Sequence, residues 1–84
     1  MSSLHVRLLF FAVYRDLAGV SELELELPAG ATAATAVDRL RQRGGGLARL
    51  PAAPVVAVNR EYAPLATPLT DGDELALLPP VAGG

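Results

Sequence analysis

The sequence predicts an α+β fold in which a mixed sheet of about five strands wraps around one main helix. Three observations lead to this prediction. Several short segments alternate or run apolar as strands do, one longer segment has helical periodicity, and the first and last strands are the most apolar. The 84 residues, 51% of them apolar, allow one domain with one core.

The first part of the chain predicts a strand, a short helix and a second strand. Residues 4–11 alternate and then become wholly apolar, as a strand that enters a core does. Residues 13–18 allow one or two helical turns, and Gly19 suits the helix end. Residues 21–27, SELELEL, alternate without a break, so their leucines face inward and their glutamates face solvent.

The main helix is predicted over residues 33–43, with Thr32 or Thr35 as its N-terminal cap. The glycines at 44–46 stop it. Three further strands follow, at residues 55–59, briefly around Tyr62 and Ala63, and at 74–78. Because the first and last strands are the most apolar, we expect them side by side in the centre of the sheet. This is the β-grasp arrangement, with the domain at residues 1–78 and an extended tail at 79–84.

The composition excludes several classes of function. Cysteine is absent and His5 is the single histidine, so thiolate and histidine metal sites, disulfides and a cysteine nucleophile are excluded, and we expect no metal site. A net charge of −2 argues against a nucleic-acid ligand. No apolar run approaches the ~20 residues that span a bilayer, and no signal peptide opens the sequence. We therefore expect a cytoplasmic protein without a membrane partner.

Two motifs resemble ligand sites but lack the required context. The glycines at 44–46 follow a helix, whereas a phosphate-binding loop precedes one. The segment at 71–74 lacks the ligand spacing of a calcium loop and predicts a turn. His5 is expected to be solvated on the outer face of the first strand.

The outer face of the sheet is a candidate partner surface. Leu9 and Phe11 share that face with Ala76 and Leu78 if Leu75 and Leu77 point inward. A cover by the helix at 13–18 or by a loop is the alternative. The residues assigned to a partner interface are Phe11, Tyr62, Leu78 and, more weakly, Arg15. Arg15 is expected on an exposed turn near the patch, where an ordinary solvated arginine is the alternative.

The last residues predict a tail that enters another protein. Pro79 and Pro80 stiffen the exit from the last strand and prevent further pairing. The side chains that follow are small or absent, at Val81, Ala82, Gly83 and Gly84. Six extended residues reach roughly 20 Å, so the tail can carry its terminal carboxylate through a narrow channel.

Three stretches carry a resemblance to a known family: 8–19 (LLFFAVYRDLAG), 57–59 (AVN) and 68–84 (PLTDGDELALLPPVAGG). The last is specific because it joins the DGDE turn, the PP exit and the GG ending at fixed spacing. The chain resembles the small, sulfur-carrying subunits of molybdopterin synthase, which have a ubiquitin-like β-grasp fold. It departs mildly at Leu77 and Leu78, where the family often has aromatic residues.

The resemblance implies a carrier cycle. An adenylyltransferase related to ubiquitin-activating enzymes uses ATP to convert the Gly84 carboxylate to an acyl adenylate. A sulfur donor protein then supplies a thiocarboxylate. The tail enters the large synthase subunit, where sulfur passes to a precursor pterin and forms the dithiolene of molybdopterin, within a heterotetramer of two small and two large subunits. The chain itself is then a non-catalytic subunit that binds no cofactor.

Other functions remain open at this point. A sulfur carrier of the thiamine pathway has the same fold and chemistry. A protein-conjugating ubiquitin-like modifier and a passive β-grasp interaction module are further alternatives. A free-standing enzyme is disfavoured because no pair of nucleophile and base can be assembled from these residues.

Overall fold

A computed structural model describes residues 3–80, which form five strands and two α-helices. The predicted tail residues 81–84 lie outside the described residues. The strands and helices are β1 (Ser3–Phe10), α1 (Ala12–Ala18), β2 (Glu22–Pro28), α2 (Ala33–Gln42), a 3₁₀ helix (Gly45–Arg49), β3 (Val55–Val58), β4 (Glu61–Ala63) and β5 (Glu74–Leu78).

The strands form one mixed sheet in the order β2-β1-β5-β3-β4. β1 pairs antiparallel with β2 and parallel with β5, and β3 pairs antiparallel with both β5 and β4. The apolar strands β1 and β5 occupy the interior of the sheet because their inward side chains meet the core, where Leu8, Leu75 and Leu77 are fully buried. The predicted β-grasp arrangement is confirmed.

The helix α2 covers the inner face of the sheet with one apolar stripe. Its buried residues are Ala33, Ala36, Val37 and Leu40. Thr32 is the N-cap, and it forms a capping box in which the Thr32 and Thr35 side chains each accept a hydrogen bond from the other residue's backbone N–H. The two predicted caps therefore act together, and the helix ends one residue earlier than predicted, with Arg43 as its C-cap.

The helix α1 and the 3₁₀ helix close the core beside α2. Tyr14 of α1 is buried, and Leu17 and Leu47 pack against the same core cluster. The glycines at 44–46 were expected only to end the main helix. In the structure Gly44 follows the C-cap Arg43 and is the N-cap of the 3₁₀ helix that begins at Gly45, while Gly46 lies directly against the backbone of α1.

Gly46→Ala should destabilise the fold. A Cβ at this position would overlap the carbonyl oxygen of Leu17, and both partners of that contact are backbone, so no side chain can move aside. We expect the free energy of unfolding in urea to fall by about 3 kcal/mol. Gly45→Ala is the control, since its Cβ meets nothing within 4 Å and only its φ of +59° costs energy, about 1 kcal/mol. Equal stability of Gly46→Ala and the wild type would contradict the close approach.

Candidate functional site

An apolar groove runs along the outer face of the sheet beside β5, from Glu74 at its start to Leu78 at its end. Its volume is about 360 Å³. Five of its side chains belong to the predicted partner patch and its interface residues: Leu9, Phe11, Tyr62, Ala76 and Leu78. The full lining consists of Leu9, Phe11, Ala57, Arg60, Tyr62, Glu74, Ala76 and Leu78.

The register of the sheet explains why these side chains meet. Leu9 of β1 and Ala57 of β3 both lie opposite Ala76 of β5, and Ala57 in turn lies opposite Tyr62 of β4. Residues directly opposite each other in a sheet point to the same face. Leu75 and Leu77 alternate with Ala76 and Leu78 and are fully buried on the inner face.

The helix α1 does not cover the groove. Its Tyr14 packs into the core with the inward residues of β1, so α1 belongs to the opposite layer. Phe11 remains 45% exposed and Tyr62 80% exposed. The alternative of a cover by residues 13–18 is therefore wrong, because the buried aromatic ring of Tyr14 fixes this short helix against the core.

Three of the four predicted interface residues come together. Phe11, Tyr62 and Leu78 line the same groove. Arg15 lies elsewhere, beside Val20 in a separate depression formed by α1 and the start of β2. The expectation that Arg15 adjoins the patch is thus not met, since α1 turns away from the groove.

Val55 belongs to the same apolar face, although the sequence did not predict it. This first residue of β3 is 52% exposed and lies opposite Leu78, so its side chain extends the apolar outer face. The alternation of 55–58 carries the signal, because Val56 is buried and Val55 must then face outward.

The groove adjoins the point where the chain leaves the sheet. Leu78 ends β5, and Pro79 and Pro80 follow it without a strand assignment. The remaining tail residues proposed for the chemistry, Val81, Ala82, Gly83 and Gly84, lie outside the described residues. One end of the groove therefore adjoins the base of the predicted tail.

A hydrogen-bond network holds the turns at the opposite end of β5. Asn59 and Arg60 both have positive φ, as a two-residue hairpin turn requires. The Asn59 amide donates to Asp73 Oδ1 at 2.9 Å, and its Oδ1 accepts from the Glu74 backbone at 3.0 Å. The Thr70 backbone donates to Asp73 Oδ2 at 2.8 Å. The network ties the β3–β4 turn, which carries Arg60 of the groove, to the start of β5.

The Asp73 carboxylate is held in its charged form by this network. Partial burial acts to raise the pKa of Asp73, but hydrogen bonds from the Thr70 backbone, the Asn59 amide and the Thr70 hydroxyl outweigh it. The pKa of Asp73 consequently lies below its ordinary value of 3.8.

The remaining outer face is polar. His5 lies 3.6 Å from Asp71 and 3.9 Å from Glu26, and Arg7 lies 3.9 Å from Glu74. The His5 side chain is largely exposed, as predicted. Within residues 3–80, no group of three or more histidine or acidic residues is arranged to hold a metal ion. The helices of this part of the chain are all too short or too polar to cross a membrane.

Comparison with known proteins gives a family and close relatives. The model of the ThiS family matches residues 8–84. A molybdopterin synthase sulfur carrier subunit from Arabidopsis thaliana is 36% identical over 83 residues, covering 99% of this chain and 86% of that protein. Its counterpart from Haemophilus influenzae is 40% identical over 81 residues, covering 94% and 99%.

Solved structures agree with the fold. A complex of subunits 1 and 2 of molybdopterin-converting factor from Helicobacter pylori includes a chain that is 30% identical, with a TM-score of 0.62 and coverage of 96% and 100%. Small archaeal modifier protein 1 from Haloferax volcanii is 31% identical, with a TM-score of 0.74 and coverage of 93% and 99%. Caldiarchaeum subterraneum ubiquitin, 18% identical with a TM-score of 0.66 and coverage of 99% and 100%, shares the fold alone.

Asp73→Asn should weaken the fold in a pH-dependent way. Since the folded pKa lies below the unfolded value, the carboxylate stabilises the fold above pH 3.8, and this stabilisation is lost as the pH falls through the folded pKa. We expect the variant to lose about 1 kcal/mol of unfolding free energy at pH 7, a modest figure because the group is only partly buried and water screens its charge.

The measurement is urea unfolding of both proteins across the acid range, where the difference between them should shrink. Asp38→Asn is the matched control, because Asp38 is exposed on α2 and makes no side-chain hydrogen bond or ion pair with residues 3–80. A difference that stays constant down to the lowest pH would contradict the assigned role of the Asp73 charge.

Proposed function

Because the chain belongs to the ThiS family, we propose that it carries sulfur on the carboxylate of Gly84 for the synthesis of molybdopterin. Its full-length similarity to molybdopterin synthase sulfur carrier subunits supports this proposal. The structural observation that carries it is the position of an open apolar groove beside the base of the predicted tail. A carrier needs both features at one end, since a partner that receives the tail also contacts the surface around it.

The proposed cycle needs an activating step because a carboxylate is a poor electrophile. A carboxylate oxygen of Gly84 attacks the α-phosphorus of ATP, and pyrophosphate leaves. Sulfur at the oxidation level of sulfide, delivered by a donor protein, then attacks the carbonyl carbon of Gly84, AMP leaves, and a thiocarboxylate remains. This sulfur passes to the precursor pterin, and water restores the carboxylate. ATP belongs to the activating enzyme, so the chain needs no cofactor of its own.

The composition fits a carrier that is not itself a catalyst. The sequence has no cysteine, so sulfur cannot be held on a thiol side chain. The backbone carboxylate at Gly84 is the remaining place for it, and glycine leaves the carbonyl carbon sterically open. In this scheme the residues 79–84 deliver the group and the β-grasp domain binds the partner.

The proposed partners follow from the cycle. The large subunit of molybdopterin synthase is supported by the Helicobacter pylori complex of subunits 1 and 2. The others are an adenylyltransferase related to ubiquitin-activating enzymes and a sulfur donor protein, all in the cytoplasm. We propose that two small and two large subunits assemble into a heterotetramer.

Protein modification is a second candidate function, favoured by the similarity to a small archaeal modifier protein. Both functions begin with adenylation of the terminal glycine, but a modifier ends in an amide bond to another protein. Intact mass spectrometry of the protein isolated from its own cells separates the two. A carrier shows a population with one oxygen exchanged for sulfur, whereas a modifier appears attached to other chains.

Leu78→Glu should weaken binding to the large subunit while leaving the isolated fold nearly as stable. Leu78 lines the outer groove, so a carboxylate there is hydrated in the free protein and loses water only in the complex. We expect the dissociation constant to rise at least tenfold, about 1.4 kcal/mol or more, by isothermal titration calorimetry.

Ala29→Glu serves as the control, because Ala29 is exposed at the opposite end of β2. It adds the same charge away from the groove and should leave the dissociation constant unchanged. If Leu78→Glu unfolds the isolated protein instead, Leu78 belongs to the core and its place in the groove is wrong.

Deletion of Gly84 should abolish sulfur transfer without changing the fold or the binding of the large subunit. The deletion removes the reacting carboxylate, whereas the groove that supplies the apolar contact lies within residues 3–80. An added residue after Gly84 should be as damaging, because catalysis tolerates a misplacement of about 1 Å poorly. A side chain introduced at Gly83 should impair transfer nearly as much, because it narrows the space available to the tail in the activating enzyme and in the synthase.

The assay measures product formation with protein thiolated chemically or enzymatically. Binding of the large subunit to the deletion variant is the control, and it should match the wild type. Full activity of the Gly84 deletion would refute the carrier function and favour a passive interaction module.

A further inference from the structure

The large apolar side chains that remain exposed within residues 3–80 are concentrated at one end of the sheet. They are Phe11, Val13, Val20, Val55 and Tyr62. Exposed apolar residues scattered singly are normal on a protein surface. These five residues instead gather toward the end of the sheet where the chain leaves β5. Two of them, Phe11 and Tyr62, line the groove.

The three valines extend the apolar surface beyond the groove. Val55 begins β3 directly opposite Leu78, the last residue of β5. Val20 precedes Ser21, whose carbonyl accepts a hydrogen bond from the Phe10 backbone at the end of β1. Val13 is the second residue of α1, immediately after that same strand end. Their exposed fractions are 52%, 45% and 51% for Val55, Val20 and Val13.

The strand order places these valines on both sides of the tail base. The start of β3 is one strand away from β5, and the start of β2 is two strands away on the other side. With strands about 4.8 Å apart, Val55 lies roughly 5 Å and Val20 roughly 10 Å from the line of β5. Val55 and Val20 thus flank the position from which Pro79 and Pro80 depart, and Val13 follows the end of β1 between them in the strand order.

Because the tail is short, a partner that receives it must come close to this end of the sheet. Residues 81–84 follow Pro80 in the sequence and span at most about 14 Å when fully extended. A partner that receives Gly84 inside a channel must therefore bring the rim of that channel up to the end of β5. The side chains around this end then lose water in the complex whether or not the outer groove is fully covered.

From this arrangement we propose that Val13, Val20 and Val55 form an apolar collar that packs against the channel rim of the large subunit when the tail is inserted. The inference rests on the proposed function, and it adds a second contact surface beside that of the groove. It also accounts for Arg15, which lies away from the groove but lines the depression next to Val20. The collar predicts an apolar rim on the partner, with an acidic group within reach of Arg15.

The test measures binding of the full chain to the purified large subunit by isothermal titration calorimetry. Val20→Asp and Val55→Asp should each raise the dissociation constant tenfold or more, because each places a carboxylate in an apolar contact. Val55→Thr keeps the β-branched shape that suits β3 and should raise it by roughly threefold. Ala29→Asp, at the far end of β2, is the matched control and should bind within about twofold of the wild type.

The outcomes separate the collar from the proposed function. If the wild type binds the large subunit and all three collar variants bind equally well, the collar is refuted while the carrier function stands. If the variants bind normally but are adenylated poorly, the collar serves the activating enzyme and the assignment to the large subunit is wrong. Absence of binding by the wild type itself would refute the proposed function. Thermal unfolding shows whether each variant is folded. If an aspartate variant is unfolded, the dissociation constant of Val55→Thr tests the collar instead.

Discussion

The parallel pairing of β1 with β5 is the constraint on which the rest of the structure depends. It joins the two ends of the described chain in the interior of the sheet and buries Leu8, Phe10, Leu75 and Leu77 against α2. Since parallel strands run the same way, both finish at the same edge. Phe11 and Leu78 are consequently neighbours, although the sequence separates them by most of its length. The groove and the base of the tail follow from this one pairing.

The sheet separates stability from recognition because its two faces have different surroundings. The inner residues Leu75 and Leu77 of β5 are fully buried, while Leu78 and the nearly buried Ala76 line an open groove on the other face. A change at an exposed position of that face, such as Phe11 or Tyr62, therefore alters a surface that water covers in the free protein. This separation lets the domain present apolar residues to a partner without weakening its own core, and it places the proposed chemistry beyond the last strand.

Much of the fold follows from the local sequence pattern, whereas the features that the sequence did not predict depend on contacts between distant segments. The alternation of 21–27 and the stripe of α2 specify their burial directly, since Leu25, Leu27, Ala36 and Leu40 are all in the core. The groove was predictable because the faces of β1 and β5 are fixed by the same alternation. Gly46 was not, because its importance comes from the backbone of α1. The position of Arg15 was not predictable either, because the burial of Tyr14 sets the orientation of α1.

The outer face of the sheet changes from charged to apolar along β1. Going along β1 from its start to its end, the outward residues change from His5 and Arg7 to Leu9 and then Phe11. The first two lie among the carboxylates of Glu26, Asp71 and Glu74, so that end remains hydrated. The outer face is therefore most apolar toward the end of the strand, where the chain leaves the sheet. On the proposed function, the polarity of this single strand places the apolar part of the groove next to the base of the tail.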